Sequence, residues 1–194
     1  PKSQMPQPRT NFPIQVSASV VEEDGIVSSS DTMFIKGATR LDPWVLANCP
    51  TLSVDLCEKE GVDFMVALKR LADMSVGCTL VAHNMQYDWD TVIVQTVIER
   101  GAEKHEDYIK LSGCPRFCTC VNTMTKKDKT AYFFKRIGTW IGPKLATLAL
   151  LNGVSYDTTR SHDASYDVEV TVACLCKIKD LHVSPNTVKK TRLV

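Results

Sequence analysis

Apolar and polar positions change period repeatedly along the chain. Phe12 to Val21 (FPIQVSASVV) alternates in part and is rich in β-branched residues, and Glu22-Glu23-Asp24-Gly25 interrupts it before Ile26-Val27 and Thr32-Met33-Phe34-Ile35. That order predicts a β-hairpin whose acidic residues serve the turn. No period holds from Lys36 to Pro50, where Pro43 and Pro50 mark an irregular connection. A helical period then appears twice, over Ser53 to Glu60 with a stop at Gly61, and through Phe64, Ala67, Leu68 and Leu71 behind the cap residue Asp63. Cys78-Thr79-Leu80-Val81-Ala82 is short and uninterrupted, as in a strand covered on both faces.

The same alternation of types continues to the C-terminus. Trp89, Val92, Ile93 and Val97 share one face of a helix that Gly101 terminates. Arg116 to Val121 reads as a short strand with Cys118 and Cys120 on one side. Pro143 opens a helix through Leu145, Leu148 and Leu151, stopped by Asn152-Gly153. Ala164, Val168, Thr171, Val172, Leu175 and Ile178 trace the inward stripe of a long last helix. Strands interleaved with helices predict an α/β fold. The expected division is a loop over residues 1–11, one domain over 12–182 and a basic tail over 183–194.

Composition narrows the class. With 194 residues, 44% hydrophobic and 23% charged, the chain is long enough to bury a core of its own. No run of 18 apolar residues occurs and the first residues are polar and Pro-rich, so neither a membrane span nor a signal peptide is indicated. A soluble, intracellular protein is expected. The net charge of +1 conceals an uneven division: residues 1–125 hold 11 Lys and Arg against 16 Asp and Glu, and residues 126–194 hold 12 against 6. A basic C-terminal third beside acidic candidate residues suggests a polyanionic partner, with a solvated basic face as the weaker competing reading. The eight cysteines form no C-x2-C pair and precede no histidine at finger spacing. Cys174 and Cys176 fall ~200° apart on a helix and cannot face one ion. Buried, reduced thiols in a reducing compartment are the expectation.

Two stretches carry candidate chemistry. His83-Asn84-Met85-Gln86-Tyr87-Asp88 joins a buried strand to a helix, which is where α/β proteins place ligand groups; Asp88 as an ordinary helix cap is the competing reading. Ser161 to Val172 sets His162 and Asp167 five residues apart at the start of the last helix. Asp167 borders the apolar stripe, where a carboxylate needs a cation, a metal or donors. The imidazole of His162 exchanges a proton near neutral pH. Here the competing reading makes His162 a cap and Asp167 part of a solvated flank. Between the two, Lys126, Lys127, Lys129, Lys135 and Arg136 alternate with Tyr132, Phe133, Phe134 and Trp140. Such a segment can grip a single-stranded end, or be a charged loop over a small aromatic cluster.

Together, His83-Asn84-x-x-Tyr87-Asp88 and His162-x-Ala164-x-x-Asp167 resemble the second and third motifs of the DEDDh 3′-to-5′ exonucleases, within the ribonuclease H-like superfamily. Phe12 to Ala18 resembles that family's second strand, Cys118-Thr119 its strand before the variable region, and Pro143-Lys144-Leu145-x-x-Leu148 its substrate-side helix. The resemblance implies a ribonuclease H-like mixed β-sheet flanked by helices. It also implies hydrolysis of terminal nucleotides from the 3′ end of DNA or RNA, with two Mg²⁺ or Mn²⁺ ions ~4 Å apart. On it, Asp88 and Asp167 are metal ligands and His162 is the general base. His83, Asn84 and Tyr87 line the pocket for the terminal nucleotide, and Lys126, Lys127 and Lys144 contact substrate.

One departure is serious. The family's first motif, Asp-x-Glu, lies on a central opening strand, and nothing before Phe12 supplies it. Asp167-Val168-Glu169 has the right letters, but on a helix its carboxylates point ~200° apart. The central first strand is therefore missing from this sequence, which is expected to begin downstream of the true N-terminus. Without that motif the alternative is a catalytically inactive exonuclease-like module that binds nucleic acid or a protein partner.

Overall fold

The computed structural model describes residues 13–123 and 143–178, together with the backbone of Phe134–Arg136, Thr139–Ile141 and Lys190–Leu193. The hairpin forms from β1 (Gln15–Val21) and β2 (Val27–Phe34), antiparallel with Gln15 opposite Phe34 and a register shift at Val20/Val21. The connection read as irregular holds a short helix, α1 (Pro43–Asn48): Asp42 accepts from the Trp44 amide at its N-terminus and Pro43 supplies the pre-set φ of a first helical position. Helices α2 (Val54–Glu60) and α3 (Phe64–Met74) start at Ser53 and Asp63, whose side chains accept from Leu56 and Met65 amides. Strand β3 (Cys78–Ala82) is buried at every position.

After β3 the chain turns through His83-Asn84-Met85 into a π-helical segment, Gln86–Val94, that continues as α4 (Gln95–Glu99). The wider winding coincides with the β-branched run Thr91-Val92-Ile93-Val94, which crowds a regular α turn. Helix α5 (Glu106–Ser112) and β4 (Arg116–Cys118) follow. The expected strand over Arg116 to Val121 stops at Cys118: Thr119–Asn122 is helical (α6), so Cys118 and Cys120 do not share a strand face. Trp89 stacks on Tyr108 with ring centroids 6.2 Å apart, and the Arg116 guanidinium lies 4.6 Å from the Trp89 centroid. These contacts tie the segment carrying Asp88 to α5 and β4.

Strands β5 (Phe134–Arg136) and β6 (Thr139–Ile141) form a separate antiparallel pair. Next come α7 (Leu145–Leu151), a 3-10 turn (Thr158–Arg160), α8 (Ala164–Lys177) and β7 (Lys190–Leu193). The larger sheet runs β2-β1-β7-β3-β4, with β7 antiparallel to β1 and β3 parallel to both β7 and β4. The central place is thus taken by Lys190-Thr191-Arg192-Leu193, which carries no carboxylate.

Because successive strand residues face opposite ways, the sheet buries both sides. Leu80 and Ala82 of β3 join Ala18, Met33 and Ile35 beneath α3 and the π-helical segment, with Leu68, Trp89, Ile93 and Val97. Val81 turns the other way, to Val21 and to Val168 and Val172 of α8. A second flank of α8, Tyr166, Val170 and Cys174, packs on Leu148 and Ala149 of α7. The last helix is therefore buried over a broader arc than a single stripe. The fold is mixed α/β, a sheet with helices on both faces. Among the described residues no helix is long and apolar enough to cross a membrane, and the eight cysteines are thiols, not disulfides.

Candidate active site

Seven of the residues singled out by sequence, His83, Asn84, Tyr87, Asp88, Lys144, His162 and Asp167, line one cavity. Lys126 and Lys127 lie outside the described residues. The cavity measures about 1610 Å³, beyond the ~300–1,000 Å³ of a pocket for one small molecule, and so suits an extended ligand.

The two carboxylates are both partly buried. Asp88 sits in the first turn of the π-helical segment, whose preceding residue, Met85, makes no side-chain cap, so helix capping does not explain this aspartate. Burial, followed by the neighbouring Cys118 sulfur and the charge of Asp167, pushes its carboxyl up to about 7. Asp167 occupies the first turn of α8, where Asp163 is the cap and accepts from the amides of Ser165 and Tyr166. Neither His162 nor Asp167 is needed for capping. Burial raises the Asp167 carboxyl, while the charge and backbone amide of His162 act against that rise. Its Oδ1 is buried without a hydrogen-bond partner, a condition that costs about 1–3 kcal/mol unless something completes it.

His162 stands beside this carboxylate in a left-handed backbone conformation, φ 71°, and Asn84 adopts φ 69° beside Asp88. Such geometry is unfavourable for residues with a Cβ and persists where surrounding contacts enforce it. For His162 those contacts include Cys49, whose thiol donates to its carbonyl at 3.6 Å, and Trp44, whose ring meets the imidazole edge-on at 4.7 Å.

His83 differs from the others because both its ring nitrogens are engaged. Nε2 lies 2.9 Å from the Pro143 carbonyl and Nδ1 3.0 Å from the Thr119 hydroxyl. A carbonyl only accepts, so Nε2 carries the proton and Nδ1 accepts from Thr119. Burial holds this imidazole below its usual range, in keeping with the neutral form. His83 therefore joins the end of β3 to α6 and to the entry of α7, beside Lys144. His83→Ala is expected to lower the urea-unfolding free energy by about 1–3 kcal/mol through two lost bonds, since the Thr119 hydroxyl can still reach the Ala82 carbonyl and the Pro143 carbonyl keeps the Cys120 thiol.

Sequence reasoning passed over several groups that line or border the cavity. Trp44 and Arg40 line it from the stretch without period; an exposed residue on a six-residue helix leaves no trace in hydrophobic periodicity. The adjacent Cys120 thiol, followed by the backbone amides of Met85, Val121 and Asn84, pushes the Cys118 thiol down against its own burial. The C-x-C spacing was visible, but its proximity to Asp88 is a tertiary property.

The donor set bears on metal binding. Partly buried aspartates, one with a buried and unsatisfied oxygen, are of the hard oxygen type that Mg²⁺ and Mn²⁺ take. Among the described residues no group of three or more His, Cys, Asp and Glu converges as a metal site. Asp88 and Asp167 supply oxygen donors to one cavity, and two carboxylates fall short of the four of a two-ion centre.

No protein-family model matches the chain, and no curated protein sequence matches it. Among solved structures it is similar to a moderately thermophilic Exonuclease I from Methylocaldum szegediense, at 15% sequence identity and a TM-score of 0.57. The match covers 89% of this chain and 37% of that one, so the chain spans just over a third of that exonuclease's length. The two share a fold.

Proposed function

We propose that this chain is the frame of a 3′-to-5′ exonuclease of the DEDDh type, removing terminal nucleotides from DNA or RNA by metal-assisted hydrolysis. The observation that carries the reading is that Asp88 and Asp167, distant in sequence, line one cavity with His162 as partly buried carboxylates, the charge of Asp167 acting on Asp88. Isolated burial of two acids is unfavourable, and a divalent cation between them offsets that cost. A cation so held would orient and acidify a water and offset charge developing on the phosphate. Within this chain His162 takes a proton at its imidazole, Asp167 orients it through the His162 amide, and Asn84 and Tyr87 face the terminal nucleotide. Lys144 counters phosphate charge at the rim, and Lys126 and Lys127 are assigned to the substrate path by sequence. Such a protein works on intracellular nucleic acid in a reducing compartment.

A two-ion centre requires further carboxylates from a strand between β1 and β3. Lys190–Leu193 lies there in this chain, and that observation favours a second reading, an inactive module that binds nucleic acid or a protein. Incubating the chain with 3′- and 5′-labelled DNA and RNA, with Mg²⁺, Mn²⁺ or EDTA, separates the two. Metal-dependent release of mononucleotides from the 3′ end is the expected result for the enzyme. Retention of the oligonucleotide without cleavage selects the module, and neither binding nor cleavage rejects both.

A further inference from the structure

Trp44 is the large aromatic that the reading above leaves without a task. It is 52% exposed on α1, a helix that buries none of its residues, so neither a core nor the helix itself requires an indole there. An aromatic side chain left in water forgoes the burial that is its main contribution to stability. Its placement is nonetheless tightly set. The Trp44 amide donates to the Asp42 carboxylate at 2.8 Å, and its carbonyl accepts from Asn48 Nδ2 at 2.8 Å. The ring stands edge-on to His162 at an interplanar angle of 72°. It lines the same cavity as Asp88 and Asp167.

Chemically, the rim joins two kinds of group. Trp44 and Tyr87, the latter 48% exposed, offer flat apolar faces, while the exposed cations Arg40 and Lys144 line the cavity with them. Aromatic faces beside cations around an acidic floor match a nucleotide, whose base is a π-surface and whose phosphate is an anion. A base that leaves its neighbour to lie on an indole surrenders its duplex stacking and pairing, and an unpaired end surrenders least.

We propose that Trp44 stacks on the terminal base of an unpaired strand and so confines the cavity to single-stranded ends; this rests on the nuclease reading above. The test is binding of short 5′-labelled oligonucleotides measured by fluorescence anisotropy, with Ca²⁺ in place of Mg²⁺. Three probes are compared: a single strand, the same strand with an abasic 3′ terminus, and a blunt duplex. The native chain is expected to favour the intact single strand over the other two. Trp44→Ala should weaken that binding by roughly 5- to 150-fold and erase the preference over the abasic end, while Trp44→Phe stays within about threefold of native affinity. Should Trp44→Ala melt early, Trp44→Leu, which keeps apolar bulk without an aromatic face, carries the same expectation. Equal affinity of the alanine or leucine variant and the native chain for the intact strand overturns the inference and leaves the nuclease reading in place. Failure of the native chain to bind any probe overturns the nuclease reading and this inference with it.

Discussion

Asp167→Asn is expected to lower metal-dependent release of nucleotides by about a thousandfold, in any form of the protein that shows it. A cation's charge stabilisation is worth several kcal/mol in such reactions, and ~4 kcal/mol corresponds to that factor. The variant keeps the size of the side chain and offers an amide where the unsatisfied Oδ1 now sits, so its loss is one of ligand charge, not of packing. Melting curves should confirm an intact fold, while the Mn²⁺-induced rise in melting temperature disappears. His162→Ala supplies the contrast: turnover falls but the Mn²⁺-induced rise remains, because the imidazole is assigned to proton transfer. Undiminished release by Asp167→Asn would remove this carboxylate from the chemistry, and a lost Mn²⁺ response in His162→Ala would recast the histidine as a ligand.

The second large effect concerns stability. Burial lifts the Asp88 carboxyl from an ordinary value of 3.8 to about 7, so between those limits the folded chain holds a proton that the unfolded chain releases. Stability from this group therefore falls as pH rises from about 4 to 7, and the penalty is complete above the folded value. Its size is on the order of 2–4 kcal/mol. Asp88→Asn lacks the ionisation and is expected to melt roughly 5–10 °C above the native chain at pH 8 in EDTA. Near pH 4 the two should coincide. Saturating Mn²⁺ should narrow the gap at pH 8, because a bound cation stabilises the ionised carboxylate of the native chain alone. A gap independent of pH would show that some other property of the asparagine is responsible.

Much of this architecture was legible where local chemistry decides local structure. The β1–β2 hairpin follows from β-branched residues around a Gly-containing turn, α2 and α3 from Ser53 and Asp63, and the depth of β3 from five consecutive residues without a charge. Other features depend on partners that a linear pattern does not display. Helix α1, six mostly apolar residues long, is too short to show a period, and α5 is short as well. Thr119–Asn122 leaves the strand because the Thr119 hydroxyl reaches His83, far away in the chain. That Asp88, Asp167 and His162, which all line one cavity, belong to one candidate site could be anticipated from the two motifs. The place of Trp44 against His162 could not, because it arises from packing between α1 and the turn before α8. The occupant of the central strand position was equally hidden: tail composition alone gives no hint that Lys190–Leu193 pairs with β1 and β3.

The double engagement of His83 has a consequence for how this scaffold can vary. One imidazole accepts from the Thr119 hydroxyl at one nitrogen and donates to the Pro143 carbonyl from the other, so both ends of the intervening connection are stapled to a single ring. Its length is thereby uncoupled from the frame that holds the carboxylates, and lengthening a closed connection costs little, since doubling it adds only ~0.6 kcal/mol. Evolution or an engineer can exchange that connection as a cassette without rebuilding the cavity that Asp88 and Asp167 line.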